Sequence, residues 1–233
     1  MNIFITGAGR GIGLGFVVHY LSKGHTVYAC YRSDSNELAA LAEKHNDLNI
    51  VQWDVTRVAT EHFLQSLPPQ IDLVINNAGI YGPKKDGQSL ENITAESMLE
   101  VFDVDSVAPL RVVQTLHSRL RRPGGIIANI SSKMGSSSDN TSGGTYAYRA
   151  AKAALIIISK SMAVDLQPEG ISVITLHPGW VRTDMVDFTG LIDVSDSVEG
   201  MATVIENIDN YKPGELVAYD GCVIPCLLYT SPS

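Results

Sequence analysis

The sequence predicts one doubly wound α/β domain, a seven-stranded, mainly parallel sheet with helices on both faces. Three observations carry this. Short β-branched runs alternate with helix-length segments from end to end. The strand runs are apolar almost throughout, as strands covered on both faces must be. No shift of composition and no fixed-period repeat marks a second unit. The chain has 233 residues, 45% apolar and 18% charged, which suffices for one sizeable core and excludes a disordered, collagen-like, coiled-coil or disulfide-scaffold protein.

The elements follow in order. Residues 3–6 form an apolar run that ends in a glycine turn. A helix follows to about Ser22, where Lys23-Gly24 stops it. A strand is expected over 26–31 and a helix over about 36–45. Further strands are expected at 49–53, 73–76, 125–131 and 171–176, each separated by helix-length segments, with a last one at 215–219. The longest helical stretch runs from about 145 to 166. The final eight residues, 226–233, match what one reading frame of a transposase sequencing adapter encodes. They are expected to be a non-native tail beyond a domain of residues 1–225.

Charge and cysteines narrow the function. A net charge of −8 repels nucleic acid and anionic membrane, so neither is expected as a partner. No apolar run reaches the roughly 18 residues of a membrane span, and the chain opens directly into a strand with no basic leader. Cys30, Cys222 and Cys226 lack metal-ligand spacing, so no metal is expected and a cytoplasmic setting fits. The histidines show no ligand spacing either, and Trp53 and Trp180 read as packing residues.

The segment Thr6-Gly7-Ala8-Gly9-Arg10-Gly11-Ile12-Gly13 joins the first strand to the first helix. Glycines there permit a tight turn and close approach of a pyrophosphate, and the helix N-terminus offers free N–H groups and partial positive charge. The spacing is TGxxxGxG, without the Lys-Ser/Thr of a phosphate-loop nucleotidase. Gly7, Arg10, Gly11, Ile12 and Gly13 are therefore candidate dinucleotide-binding residues. The second strand ends in Cys30-Tyr31-Arg32-Ser33, with no acid at the position that holds a ribose 2′-hydroxyl in NAD sites. Arg32 can form a fork on a 2′-phosphate, with Arg10 placed to assist, so NADP(H) is expected over NAD(H). Asp34 is the competitor, able to take a ribose and admit NAD.

Tyr148 and Lys152 fall one turn apart on one face of the long helix. A lysine ammonium favours phenolate and lowers a tyrosine pKa from near 10, making the phenol a usable acid or base. Tyr146 competes by proximity but lacks the lysine. Ser132 follows a central strand, where its hydroxyl points into the ligand crevice and can hydrogen-bond the same oxygen. Ser136, Ser137 and Ser138 read as spacer in a Ser/Gly loop.

Together TGAGRGIG at 6–13, NNAG at 76–79, NISS at 129–132, YRAAK at 148–152 and HPGWVRTDM at 177–185 resemble the short-chain dehydrogenase/reductase family, a Rossmann-type fold. The phrases YAYRAAKAAL and LHPGWVRTDM look closest to the branch of the C-factor signalling protein and the sniffer-type carbonyl reductases. The resemblance implies hydride transfer between NADP(H) and a small carbonyl or secondary alcohol, with Ser132, Tyr148 and Lys152 catalytic. A dinucleotide-binding signalling protein with weak turnover is the alternative. It implies that Asn77, Ala78 and Gly79 lie beside the ribose, that Asp54 and Val55 flank the adenine, and that Pro178, Gly179, Val181 and Thr183 wrap the nicotinamide. Residues 185–199 become a substrate lid, and a homodimer or homotetramer forms through helices around 96–120 and 145–166. One departure stands out. The family places an asparagine in the helix before the serine strand to hold a relay water near the lysine; the matching residue is Asp105. A carboxylate there loses the amide's donors and can pair with Lys152.

Overall fold

Along the first strand, Ile3 and Ile5 enter one hydrophobic cluster and Phe4 enters another, because successive side chains point to opposite faces. That strand, β1 (Asn2–Thr6), lies mid-sheet, and its apolar run is what coverage on both faces requires. In this computed structural model, which describes residues 1–33 and 35–226, the other strands are β2 (Thr26–Tyr31), β3 (Leu48–Gln52), β4 (Leu73–Asn76), β5 (Ile126–Ile130), β6 (Ser172–His177) and β7 (Leu216–Ala218). The expected seven strands are present. Their order is β3-β2-β1-β4-β5-β6-β7, and every pairing is parallel.

The helices are α1 (Gly11–Ser22), α2 (Asn36–Ala42), α3 (Glu61–Gln65), α4 (Ala95–Phe102), α5 (Ala108–Leu116), α6 (Tyr146–Leu166) and α7 (Val194–Glu206). Phe16 and Tyr20 of α1 pack with Val198 and Met201 of α7 on one face of the sheet. Val112 and Leu116 of α5, with Met162 and Ala163 of α6, cover the other. Trp53 is buried there against Phe63 of α3, at 4.8 Å between ring centroids.

Three local details differ from the sequence reading. The second helix stops at Ala42, where residues 44 and 45 fold back in a turn onto Leu41. The long helix begins at Tyr146, because Thr145 has φ 52° in the left-handed region and caps nothing with its side chain. Between α4 and α5 the expected helix widens into a π-helical turn over Asp103–Val107. Such a turn inserts one extra residue and re-aims its side chains, often at functional sites.

A buried polar chain ties three elements together behind the site. Asn76 Nδ2 of β4 donates to Asn129 Oδ1 of β5 at 2.8 Å, and Asn129 Nδ2 donates to Ser159 Oγ of α6 at 2.8 Å. The helix carrying Tyr148 is thereby fixed laterally on the strand that leads to Ser132.

Candidate active site

The chain leaves β1 in one direction and β4, its neighbour, in the other, which opens a crevice at the carboxyl ends of the strands. A cavity of about 510 Å³ fills it. Its floor is the glycine turn. Thr6 Oγ1 accepts from the N–H groups of Asn77 and Ala78, both at 3.0 Å, and Asn77 Nδ2 donates back to the carbonyls of Thr6 and Gly7. The turn has no room for side chains at two positions. A Cβ on Gly7 would lie 2.8 Å from Ala78 Cα, and one on Gly13 would lie 2.2 Å from the Gly7 carbonyl oxygen. Gly7 also has φ +63°. The N-cap of α1, Arg10, makes no side-chain capping bond, so the first N–H groups of that helix stand at the cavity without one.

Gly7, Arg10, Gly11 and Ile12 line the cavity, as do Asn77, Ala78 and Gly79. So do Arg32, Asp54 and Val55 at the far end. Asp54 is folded into a local turn, accepting from Thr56 N at 3.0 Å and Thr56 Oγ1 at 2.7 Å. Burial alone would raise its pKa, but those bonds and the nearby Arg32 and Arg57 hold it below the usual carboxylate range. Among the described residues no carboxylate lies within ion-pair distance of Arg32. Asp34, the competitor for the ribose, lies outside the described residues. Arg10 is instead paired with Asp184 across the mouth.

Tyr148, Lys152, Pro178 and Thr183 line the opposite end. Lys152 is 5% exposed, and its Nζ lies 5.5 Å from the centre of the Tyr148 ring. It donates to the Ile130 carbonyl at 3.1 Å and lies 3.0 Å from Asp105 Oδ2. Asp105 is 0% exposed, and its Oδ1 accepts from the Ile80 N–H at 2.8 Å. The π-helical turn thus delivers a carboxylate to the lysine. Burial pushes Asp105 up, against the pull of Lys152 and the Ile80 N–H. Burial works against the Lys152 ammonium, yet Asp105 and Tyr148 outweigh it and hold Lys152 above its ordinary value.

The Tyr148 phenol differs from the sequence expectation. Burial raises its pKa, the Lys152 ammonium and a hydrogen bond from Ser132 oppose this, and Asp105 and Tyr81 reinforce it. The net direction is upward. The lysine moderates the shift instead of dominating it, because the surrounding protein desolvates the phenol and the carboxylate cancels part of the ammonium's field.

Gly13, Ser132, Gly179 and Val181 do not line the cavity. Gly13 packs α1 against the Gly7 carbonyl of the turn, as above. Gly179, at φ +85°, brings the chain against Ile192, and Val181 is buried beside the same residue. Ser132 is nearly buried and caps the turn Lys133–Gly135, accepting from Met134 N at 3.2 Å. Trp180 is half exposed instead of packed. The serines read as spacer hold the chain's last described residues: Ser136 Oγ donates to the Pro225 carbonyl, and Ser137 N and Oγ donate to that of Cys226. The rest of the expected non-native tail, residues 227–233, lies outside the described residues.

Two residues escaped the sequence reading. Ser35 Oγ donates to the Gly9 carbonyl at 2.6 Å while capping α2, and a serine before a helical run was a readable signal. Gln88, 3% exposed, accepts at Oε1 from the Tyr148 N–H at 3.0 Å; no sequence pattern announces it.

A glycine cradle at a helix N-terminus, a guanidinium at one end and a phenol beside an ammonium at the other fit a long molecule with a pyrophosphate at its middle, as a nicotinamide dinucleotide has. Among the described residues no cluster of His, Cys, Asp and Glu is placed to hold a metal ion, and no helix is long and apolar enough to cross a membrane. Comparison with known proteins agrees with the cradle. A family model described as short chain dehydrogenase matches residues 1–190. C-signal of Myxococcus xanthus is 39% identical over 157 residues, covering 66% of this chain and 92% of that protein. The NADPH-bound carbonyl reductase from chicken fatty liver superposes with TM-score 0.87 at 32% identity, covering 96% of this chain and 98% of that one. Carbonyl reductase Sniffer of D. melanogaster does so with TM-score 0.89 at 30% identity, with the same coverage.

Proposed function

The chain belongs to the short-chain dehydrogenase family, and we propose that within it this oxidoreductase reduces neutral aldehydes or ketones with NADPH, and oxidises secondary alcohols in reverse. The observation that carries the reading is the Tyr148–Lys152 pair, set at one end of the cavity whose floor is the glycine turn, with Ser132 beside the phenol. A nicotinamide held there would supply or accept the hydride. The Tyr148 O–H gives its proton to the carbonyl oxygen, and Ser132 hydrogen-bonds that oxygen as its charge grows. Lys152 stabilises the phenolate left behind, and the Ile130 carbonyl and Asp105 fix its position. A raised phenol pKa keeps Tyr148 protonated at neutral pH, the state that reduction needs.

Gly7, Gly11 and the N-terminus of α1 would hold the pyrophosphate, and Asn77–Gly79 one ribose. Arg32 would hold the 2′-phosphate and so favour NADPH, the dinucleotide bound in the chicken carbonyl reductase. Neutral substrates follow from the cations around the mouth. Arg10 is paired with Asp184, Lys84 with Asp187, Arg182 with Asp193 and Lys133 with Asp139, leaving these four engaged. Exposed Leu99 on α4, with Ile157 and Val164 on α6, supports a homodimer or homotetramer through these helices, which sedimentation would read. The free thiols Cys30, Cys222 and Cys226 support a cytoplasmic setting.

The similarity to C-signal and the Asp105 carboxylate favour a second reading, a dinucleotide-dependent signalling protein with little turnover. NADPH oxidation against a panel of neutral aldehydes and ketones separates them. Turnover supports the reductase. Tight NADPH binding with no turnover on any member would overturn it in favour of the second reading.

A further inference from the structure

The catalytic helix lacks a cap of its own. Thr145, at its N-cap, is left-handed and makes no side-chain bond, and Gly143 and Gly144 before it are also at positive φ. The missing acceptor comes from a distant loop. Gln88 Oε1 takes the N–H of Tyr148 itself, and the Gln88 carbonyl takes the N–H of Tyr146 at 3.5 Å. The other end of the same side chain faces the opposite way. Gln88 Nε2 donates to the Tyr81 carbonyl at 2.7 Å and to the Pro83 carbonyl at 3.2 Å. Each polar atom of this buried amide is therefore used, and each partner is either in the first turn of α6 or in the loop that carries Tyr81.

Tyr81 lies against Tyr148, with ring centroids 5.1 Å apart and planes tilted by 40°. The loop is shaped to bring the amide in. Gly82 has φ +83°, and a Cβ on it would lie 2.6 Å from Val101 Cγ2 and 3.5 Å from Gln88 Nε2. On its outer side Lys84 pairs with Asp187 in the segment expected to form the lid. One side chain thus links the aromatic wall beside the reacting centre to the backbone of the proton donor.

We infer that Gln88 is a positioning residue that sets the spacing between the Tyr81 wall and the Tyr148 phenol, and with it the shape of the substrate pocket. This rests on the reading of Tyr148 as the proton donor. The two ends of the amide have separable tasks. The acceptor end aligns Tyr148 and governs the proton-transfer step. The donor end holds Tyr81 and governs how well substrate is held.

Gln88→Glu and Gln88→Leu separate the tasks. Glutamate keeps an acceptor at a helix N-terminus, where negative charge is favoured, but loses the amide donors to the loop. It is expected to raise KM several-fold while kcat stays within about threefold, since the donor remains aligned. Leucine loses both ends, and kcat is expected to fall by about tenfold or more as well, on the scale at which small misplacements act. Limited trypsin digestion gives a readout independent of turnover. The loop carries Lys84 and Lys85, and release of its amide anchor should speed cleavage there in both variants while NADPH binding by fluorescence is retained. Kinetics and cleavage unchanged in both variants would overturn the inference. So would equal effects of Glu and Leu on kcat, or a Glu variant that no longer binds NADPH, which would make Gln88 a folding residue. If the wild-type protein reduces no carbonyl, the reductase reading fails by itself, and the cleavage comparison still decides whether Gln88 anchors the loop.

Discussion

At the scale of single residues, the proposed reaction makes Asp105 the residue expected to bias it toward reduction. Its carboxylate, 3.0 Å from Lys152 Nζ, cancels part of the ammonium's field at Tyr148 and so raises the phenol. Oxidation of an alcohol needs phenolate, so its rate should rise toward alkaline pH along a limb displaced upward. Reduction needs phenol and is spared. Asp105→Asn keeps an acceptor for the Ile80 N–H and removes the charge. The limb should then move to lower pH and oxidation at neutral pH should speed up, as pH profiles in both directions would show; superimposable profiles would make the side chain a bystander. Arg32 is the residue proposed to carry the cofactor preference. Arg32→Ala should weaken NADPH by about ten- to a hundredfold, the value of a charge-assisted pair of roughly 1.5–3 kcal/mol, and leave NADH nearly unchanged. Fluorescence titration of both dinucleotides measures it, and an unchanged ratio would contradict the assignment.

At the scale of elements, what the sequence made legible was periodic or local. Strands of β-branched runs, the glycine turn and the Tyr148–Lys152 spacing are set by neighbours in the chain, and each lies where that pattern places it, to within a residue or two. What stayed hidden was non-local. The π-helical turn at Asp103–Val107 has no compositional mark, since its extra residue is stabilised by packing against α6, where Ser106 Oγ donates to the Ala151 carbonyl at 2.7 Å. Gln88 caps a helix whose sequence lies far downstream, and the upward shift of Tyr148 depends on burial that one-dimensional spacing cannot express. The Asn76–Asn129–Ser159 chain is hidden likewise, and it locks α6 to β4 and β5. Asn129→Leu would remove one hydrogen bond from each of two buried partners, Asn76 and Ser159, which keep only the Pro109 and Leu155 carbonyls, and should lower stability by about 1–3 kcal/mol, at roughly 0.5–1.5 kcal/mol for each net bond lost. Urea denaturation reads the loss. A change below about 0.5 kcal/mol would mean that the chain does not restrain the helix.

At the scale of the whole molecule, a buried histidine is expected to make the fold sensitive to acid. His177 ends β6, its Nδ1 lacks a hydrogen-bond partner among the described residues, and burial lowers its pKa to about 4, with Lys133 adding to the effect and Asp139 and Asp220 opposing it. The unfolded chain titrates near 6.5, so it binds the proton first as pH falls. Stability is therefore full above the unfolded value and is lost as pH falls from about 6.5 toward about 4. Between pH 7 and pH 5 the expected loss is about 2 kcal/mol. His177→Gln should flatten this dependence in denaturant midpoints, and an equally steep profile in that variant would assign the acid sensitivity elsewhere.

The proposed reduction depends on Tyr148 moving the proton in a site that would bind NADPH without it. The direct measurement is Tyr148→Phe, read for both dinucleotide binding and carbonyl turnover in one preparation. The expected result is NADPH affinity within about twofold of wild type with turnover reduced by about 10²- to 10⁴-fold, the usual contribution of a positioned acid. Turnover close to wild type in Tyr148→Phe, with binding intact, would contradict the claim and move the proton donor to another group.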